Sequence, residues 1–169
     1  MASLARLPAF VDGDTLNVVV EAPRGSRLKL EYDPRQRVFR AERPLPVGLA
    51  YPFDWGFIPG TRAADGDPVD AMVLNDVPTY PGTVIECHAL GMVEVVERPG
   101  DGAKERPNPR VILVPAWSAG SARRLPRGFR TQLAQFFVWV TANTGKQVRI
   151  AGWATPEQAL AHVRTRVRR

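Results

Sequence analysis

Prolines and glycines punctuate this sequence so closely that most apolar runs between them are short. The chain has 169 residues, among them 16 prolines and 14 glycines. Turn formers at this density are typical of many short strands joined by tight turns, and they leave little room for a helical bundle. We find no repeat and no linker that would divide the chain. The sequence therefore predicts a mainly β fold in a single domain of residues 1–169.

Apolar runs and two-residue alternation predict the strands. The segment Arg27–Tyr32 alternates cleanly, since its leucines share one face while Lys29 and Glu31 share the other. Another segment is long enough to form two strands or one strand bent at Gly91. The predicted strands are Thr15–Glu21, Arg27–Tyr32, Val38–Arg43, Val69–Leu74, Thr83–Val96, Arg110–Pro115 and Val148–Trp153.

Two helices are predicted near the C-terminus. The first carries an apolar stripe with helical spacing, and the second begins with a capping box. Together with the strands, they predict a mainly β (α+β) architecture, a small barrel with both helices packed outside it. The stripe consists of Leu133, Phe136, Phe137 and Val140; the second helix has Thr155 as N-cap, Pro156 and Gln158 in its first turn, and Ala159, Leu160 and Val163 on its apolar side.

The charge and the cysteine content limit the classes of function. Lys and Arg number 23 against 17 Asp and Glu, a net charge of +6. This surplus indicates an anionic partner, which either a nucleic acid or a small phosphate ester satisfies. No apolar run reaches the roughly 18 residues of a membrane span, so we expect no membrane partner. The single cysteine, Cys87, excludes an internal disulfide and favours a cytoplasmic location.

The most informative segment is the acidic run Asp65-Gly66-Asp67-Pro68-Val69-Asp70. Three carboxylates this close repel one another unless a cation compensates them. Carboxylate oxygens suit hard ions such as Mg²⁺ or Ca²⁺. An EF-hand loop does not fit, because Asp70 would stand where that loop requires glycine. Taken alone, the run is more simply explained as a solvated acidic turn.

Together with residues on either side, this run resembles the soluble family I inorganic pyrophosphatases. The resemblance extends from about Thr15 to Thr155 and implies an OB-like five-stranded barrel that hydrolyses pyrophosphate with Mg²⁺. It is carried, in this order, by Val20-Glu21-Ala22-Pro23, Lys29-Leu30-Glu31, Arg43, Tyr51-Pro52, Trp55-Gly56, the acidic run, Pro81-Gly82, Gly91, Val114-Pro115, Phe136-Phe137 and Gly152-Trp153.

The resemblance also implies a role for each site residue. Asp67 would be the general base on a metal-bound water, whose pKa the metals lower. Cationic side chains would neutralise the phosphates. A homo-oligomer, a hexamer by resemblance, is implied as well. The implied catalytic residues are Asp67, Lys29, Arg43 and Tyr51. The implied metal ligands are Asp65, Asp70, Glu21, Glu31 and Glu97, and the implied substrate-binding residues are Lys29, Arg43, Tyr51 and Arg110.

Two departures fall on the phosphate contacts. The helix with Phe136-Phe137 normally ends in a Tyr-Lys pair, but those positions are Val140 and Thr141 here. Lys146 and Arg149 follow closely and are candidates to replace the pair. In addition, Trp55 stands where a tyrosine is usual, and tryptophan has no hydroxyl.

The segment from Glu97 to Arg110 is longer than usual and can be aligned in two ways. Aligned on Gly91, Glu97 is the first acid, Lys104 is the cation, and Gly102, beside Asp101, takes the place of the second acid. Aligned on Val114-Pro115, Asn108 and Arg110 occupy the positions of the family's Asp-x-Lys. We favour the second alignment, because the strand before Pro115 leaves little room for slippage.

These departures lead us to expect pyrophosphate hydrolysis with a weakened phosphate and metal site. Two alternatives stay open: a paralogue that has lost catalysis, and a basic OB-like module that binds single-stranded nucleic acid. Nucleic acid is the less favoured partner, because the acidic turn repels a phosphate backbone. The arginines are more simply explained as a solvated helix face (Arg123, Arg124, Arg127, Arg130) and a frayed tail (Arg164, Arg166, Arg168, Arg169).

Overall fold

The computed structural model describes residues 3–100, 102–118 and 125–168, so Asp101, Arg123, Arg124 and Arg169 lie outside it. Strands dominate the described part. They are β1 (Phe10–Asp12), β2 (Thr15–Ala22), β3 (Leu28–Asp33), β4 (Val38–Pro44), β5 (Asp54–Ile58), β6 (Val69–Val73), β7 (Val84–Arg98), β8 (Arg106–Pro107), β9 (Arg110–Pro115) and β10 (Gln147–Ala154); the α-helices are α1 (Phe129–Val140) and α2 (Pro156–Arg164).

Five of these strands close into a ring. Neighbours pair in the order β2, β5, β6, β9 and β7, and β7 pairs back with β2, where Leu16 lies opposite Cys87. All of these pairs are antiparallel except β6 with β9. Strand β1 extends the sheet from β2, β8 and β10 extend it from β7, and β3 and β4 form a separate hairpin. The predicted five-stranded barrel is confirmed.

Strand β5 was missed by the sequence analysis, although it is a member of the ring. Its neighbour β2 approaches so closely that a Cβ on Gly56 would lie 1.9 Å from the Val19 carbonyl oxygen. Glycine is therefore required there for close contact between two backbones. Because a central glycine and two aromatic residues obscure the alternation, DWGFI does not read as a strand.

Both helices form where the sequence predicts them. Helix α1 buries Phe129, Leu133, Phe136 and Phe137, while Val140 at its end is only partly buried. The Thr155 hydroxyl accepts a hydrogen bond from the Gln158 amide, which completes the predicted capping box of α2. Its Ala159 and Val163 join the barrel core. No helix in the described residues is long and apolar enough to cross a membrane.

The longest predicted strand is one continuous strand. Its register against β9 shifts between Ala89 and Gly91, so β7 bends there and continues to Arg98. The bend lets β7 pair with β2 before it and with β10 after it. The prediction of a single bent strand is thus the correct alternative.

The expectation of a frayed C-terminal tail is wrong for the residues described. Val167 bridges to Thr61, and the Arg168 Nε donates to the Thr61 carbonyl at 3.0 Å. Arg164 pairs with the Asp14 carboxylate, and its guanidinium lies over the Phe10 ring, 5.2 Å from the centroid. The tail therefore anchors the segment that leads into the acidic turn.

Candidate active site

A cleft of about 220 Å³ lies between the barrel, the β3–β4 hairpin and the end of α1. We call it the acidic cleft. All ten site residues predicted from the sequence line it, although they come from separate strands and loops. These are Glu21, Lys29, Glu31, Arg43, Tyr51, Asp65, Asp67, Asp70, Glu97 and Arg110; the further polar or charged lining residues are Arg106, Asn108, Thr141 and Lys146.

The acidic turn forms one wall of the cleft. Its backbone is held by three hydrogen bonds, from the Ala63 amide to the Asp67 carbonyl at 2.7 Å, from the Gly66 amide to the Ala63 carbonyl at 3.1 Å and from the Asp67 amide to Asp65 Oδ1 at 3.2 Å. Gly66 adopts a φ of 98°, which glycine accepts without strain. The turn thus presents the exposed carboxylates of Asp65 and Asp67 to the cleft, while Asp70 is half-buried in β6.

The opposite wall is formed by β2 and the hairpin. The Glu21 carboxylate accepts a hydrogen bond from the Tyr32 amide at 2.7 Å. Burial raises the pKa of Glu21 to about 8, and the nearby acids Asp70 and Glu31 add to the effect. The positive charge of Lys29 offsets this rise only in part.

Lys29 is held between two carboxylates of the hairpin. Its ammonium contacts Glu31 and also Glu42, a residue that the sequence analysis did not single out. Although burial opposes the charge, the hydrogen bonds to these two acids raise the pKa of Lys29. Glu42 therefore fixes where the Lys29 charge lies. Nothing in the local pattern of β4 distinguishes Glu42 from an ordinary exposed strand residue.

Arg110 occupies the floor of the cleft. Its Nη2 lies 2.7 Å from Glu97 Oε1 and 3.4 Å from Asp70 Oδ2. The guanidinium is also 5.4 Å from the centroid of the Phe137 ring. Burial raises the pKa of Asp70 against the pull of Arg110. Burial acts on Glu97 in the same direction, but Arg110 and Asn108 outweigh it and hold the pKa of Glu97 below its usual range.

The structure separates the two alignments of the long segment. Asn108 lines the cleft and donates from Nδ2 to Glu97 Oε1 at 3.1 Å, whereas Lys104 and Gly102 are exposed and do not line it. This placement favours the alignment on Val114-Pro115. The additional residues are accommodated by the loop after β7 and by β8, which pairs with β7.

The end of α1 offers the cleft no charged side chain. Val140 and Thr141 both line it, and the Thr141 hydroxyl is already bonded to the Phe137 carbonyl at 2.8 Å. Arg43 donates from Nη2 to the Val140 carbonyl at 3.1 Å, which places a cation at the negative end of the helix dipole. Arg149 does not replace the missing pair, because it lies outside the cleft lining and contacts Glu105 at 3.3 Å.

Tyr51 closes the cleft from the loop before β5. It is buried, and its ring packs 5.5 Å from the centroids of both Trp55 and Phe136. Burial raises the pKa of Tyr51 to about 12, so its hydroxyl stays protonated near neutral pH. Tyr51 can therefore donate a hydrogen bond into the cleft but cannot act as a base there.

The donor set of the cleft fits a hard divalent ion. Six carboxylates line it, and in the part of the chain that the structure describes no cysteine or histidine does. Within the described ranges, no group of three Asp, Glu, His or Cys side chains is arranged so that it could hold one metal ion. Arg110 holds two of the carboxylates and Lys29 a third. Burial raises the pKa values of both Glu21 and Asp70, so a divalent ion beside them would stabilise their charged forms.

Comparison with known proteins gives the cleft its context. The family model described as inorganic pyrophosphatase matches residues 18–169. The chain belongs to the inorganic pyrophosphatase family. Its members depend on a metal ion.

Relatives of this family match nearly the whole chain. The inorganic pyrophosphatase of Sulfolobus acidocaldarius is 35% identical over 158 residues, 92% of this chain and 91% of its own. That of Thermus thermophilus is 36% identical over 178 residues, and its crystal structure superposes with a TM-score of 0.86 over 98% of this chain and 97% of its own. The Helicobacter pylori pyrophosphatase, 26% identical, superposes with a TM-score of 0.83 over 95% and 96%.

Two lining residues were not predicted from the sequence as site residues. Arg106 was overlooked because it lies in the additional segment, where the family pattern gives no guide. Asn108 was identified only as a neutral residue at an acidic position. Both reach the cleft because β8 pairs with the end of β7 along the same edge that β9 occupies before it.

Proposed function

We propose that this chain hydrolyses inorganic pyrophosphate to two phosphates in a metal-dependent reaction within the acidic cleft. The observation that carries the proposal is the convergence of ten predicted site residues on one cleft of a pyrophosphatase fold. Phosphate release from pyrophosphate, measured with and without Mg²⁺, tests it. We expect a weakened site, because Val140 and Thr141 contribute no charged donor.

The proposed roles are those that the family resemblance implies, and the position of each side chain supports them. Asp67 is exposed on the acidic turn and is proposed to take the proton from the attacking water. The bound metal would lower the pKa of that water. Lys29 and Arg43 would bind the phosphates, and the neutral hydroxyl of Tyr51 would donate to them. The residues proposed to hold the metal are Asp65, Asp70, Glu21, Glu31 and Glu97, and Arg110 is proposed to bind substrate from the floor of the cleft.

We propose Mg²⁺ as the metal, since all candidate ligands are carboxylates. Changing Asn108→Asp is expected to raise the affinity for Mg²⁺ about tenfold, because a carboxylate would then replace the neutral amide beside Glu97. Isothermal titration with MgCl₂ measures this. The control is Asn143→Asp, an exposed residue that does not line the cleft. Equal affinities of Asn108→Asp and the wild type would contradict the placement of the metal near Glu97.

We also propose a homo-oligomer, a hexamer by resemblance. An apolar groove of about 720 Å³ runs beside α1, and Trp139 on its edge is 62% exposed. A second copy would cover this surface. Trp139→Glu is therefore expected to shift the protein to a lower mass in light scattering after gel filtration. Trp117→Glu, 64% exposed but outside the groove, is expected to leave the mass unchanged. The opposite pattern would place the interface elsewhere.

Binding of single-stranded nucleic acid is the disfavoured alternative. The described arginines contact separate elements: Arg130 lies over Trp153, 4.8 Å from a ring centroid, whereas Arg164 lies over Phe10. Neither of them lines the acidic cleft. Tight oligonucleotide binding with a steep salt dependence and no release of phosphate would favour this alternative over hydrolysis.

We further propose a cytoplasmic location. Cys87 is fully buried in β7 as a free thiol, and burial raises its pKa well above the usual range. A lone protected thiol needs no oxidising compartment. Recovery of the activity in the cytosolic fraction of the source cells tests this.

A further inference from the structure

The acidic cleft holds two cationic side chains that are free to receive an anion. Among the described residues, five cations line it. Three are engaged: Lys29 by two carboxylates, Arg110 by Glu97 and Asp70, and Arg43 by the Val140 carbonyl. The side chains of Arg106 and Lys146 are exposed and make no hydrogen bond or ion pair with another described residue.

The position of Arg106 is fixed by its surroundings rather than by its own side chain. Its strand β8 pairs with the end of β7, where Arg106 lies opposite Glu97. The preceding residue, Glu105, contacts Arg98 of β7 at 2.9 Å and Arg149 of β10 at 3.3 Å. These contacts hold the additional segment against the sheet, so Arg106 enters the cleft from a defined strand.

The same segment lies against the turn that carries Lys146. A Cβ on Gly100 would lie 2.7 Å from the Gly145 carbonyl oxygen, so the two backbones are in direct contact. Lys146 lines the acidic cleft together with Glu97 and Arg106. Arg106 and Lys146 thus enter the same cleft from neighbouring segments.

We propose that Arg106, together with Lys146, binds a phosphate group of the substrate and so supplies the charge that the end of α1 lacks. The proposal rests on the proposed function, because it takes a pyrophosphate-like anion as the ligand of the cleft. Val140 and Thr141 provide no charged donor, while the additional segment places a guanidinium in the same cleft. A guanidinium can hold two oxygens of one phosphate at once. The additional segment therefore compensates for the loss at the helix.

Arg106→Ala is expected to weaken binding of imidodiphosphate, a non-hydrolysable analogue, about 10- to 100-fold in a calorimetric titration with Mg²⁺ present. The KM for pyrophosphate is expected to rise by a similar factor. Arg106→Lys is expected to recover part of the lost affinity, because lysine keeps the positive charge but cannot form the bidentate hydrogen bonds of a guanidinium. The matched control is Lys104→Ala, an exposed cation of the same segment that does not line the cleft.

A second variant separates lost binding from lost structure. Val140→Tyr with Thr141→Lys, added to Arg106→Ala, places donors on the adjacent wall and is expected to restore affinity. Imidodiphosphate affinity of Arg106→Ala equal to that of the wild type, or equal losses in Arg106→Ala and Lys104→Ala, would overturn the inference. Failure of the wild type to release phosphate would instead overturn the proposed function, since the binding titration does not require turnover.

Discussion

Asp67→Asn is expected to lower the rate of phosphate release from pyrophosphate by about 10²–10⁴-fold, the usual contribution of a positioned general base. The amide has nearly the same shape as the carboxylate but cannot accept the proton of the attacking water. Asp67 lies on a turn whose described hydrogen bonds use its backbone amide and carbonyl, not its carboxylate. The turn is therefore expected to persist in the variant, and kcat is expected to carry the loss.

The control for this variant is Asp12→Asn, an exposed aspartate of β1 outside the cleft. It is expected to keep the wild-type rate. Thermal unfolding of both variants is expected to match the wild type, because exposed substitutions usually change stability by less than about 0.5 kcal/mol. If Asp67→Asn retains full activity, the proton is taken by another group and the proposed role of Asp67 is wrong.

Gly56→Ala is expected to destabilise the fold by about 4 kcal/mol or more. The added Cβ would lie 1.9 Å from the Val19 carbonyl oxygen, and the obstacle is backbone that no side-chain rotation relieves. Val20, the partner of Gly56 across the two strands, belongs to the barrel core, so separating β2 from β5 would open the ring. The free energy of unfolding in urea measures the effect.

Gly13→Ala provides the comparison for a glycine in open space. Nothing lies within 4 Å of its Cβ position, so only its φ of 41° opposes a side chain. A loss of about 1 kcal/mol is expected there. A loss at Gly56 no larger than at Gly13 would show that the two strands are not packed as closely as described.

The barrel was predictable because local sequence patterns identify most of its strands. Apolar runs identify β2, β6, β7 and β9, and turn formers separate them. The order of the strands in the ring could be expected only from the family resemblance, because no local sequence pattern indicates which strands pair. Strand β5 was missed because its decisive property, the contact of Gly56 with β2, is a tertiary one.

The residues of the site were predictable from the sequence, but the contacts between them were not. The resemblance identified ten residues that share the cleft, yet it could not show Arg110 between Asp70 and Glu97. Arg106 had no counterpart in the family pattern, so only the pairing of β8 reveals it. For the C-terminal arginines the sequence led to a wrong expectation. Their composition indicated a frayed, solvated tail, whereas the contact of Arg168 with Thr61 holds the tail in place.

Phosphorus NMR of the purified wild-type protein with pyrophosphate and Mg²⁺ tests the central claim most directly. We predict that the pyrophosphate signal disappears and that two equivalents of inorganic phosphate appear. Chelation of the metal with EDTA is predicted to stop the conversion, and restored Mg²⁺ to resume it. A pyrophosphate signal that persists unchanged with Mg²⁺ and folded protein present would contradict the assignment of hydrolysis to the acidic cleft.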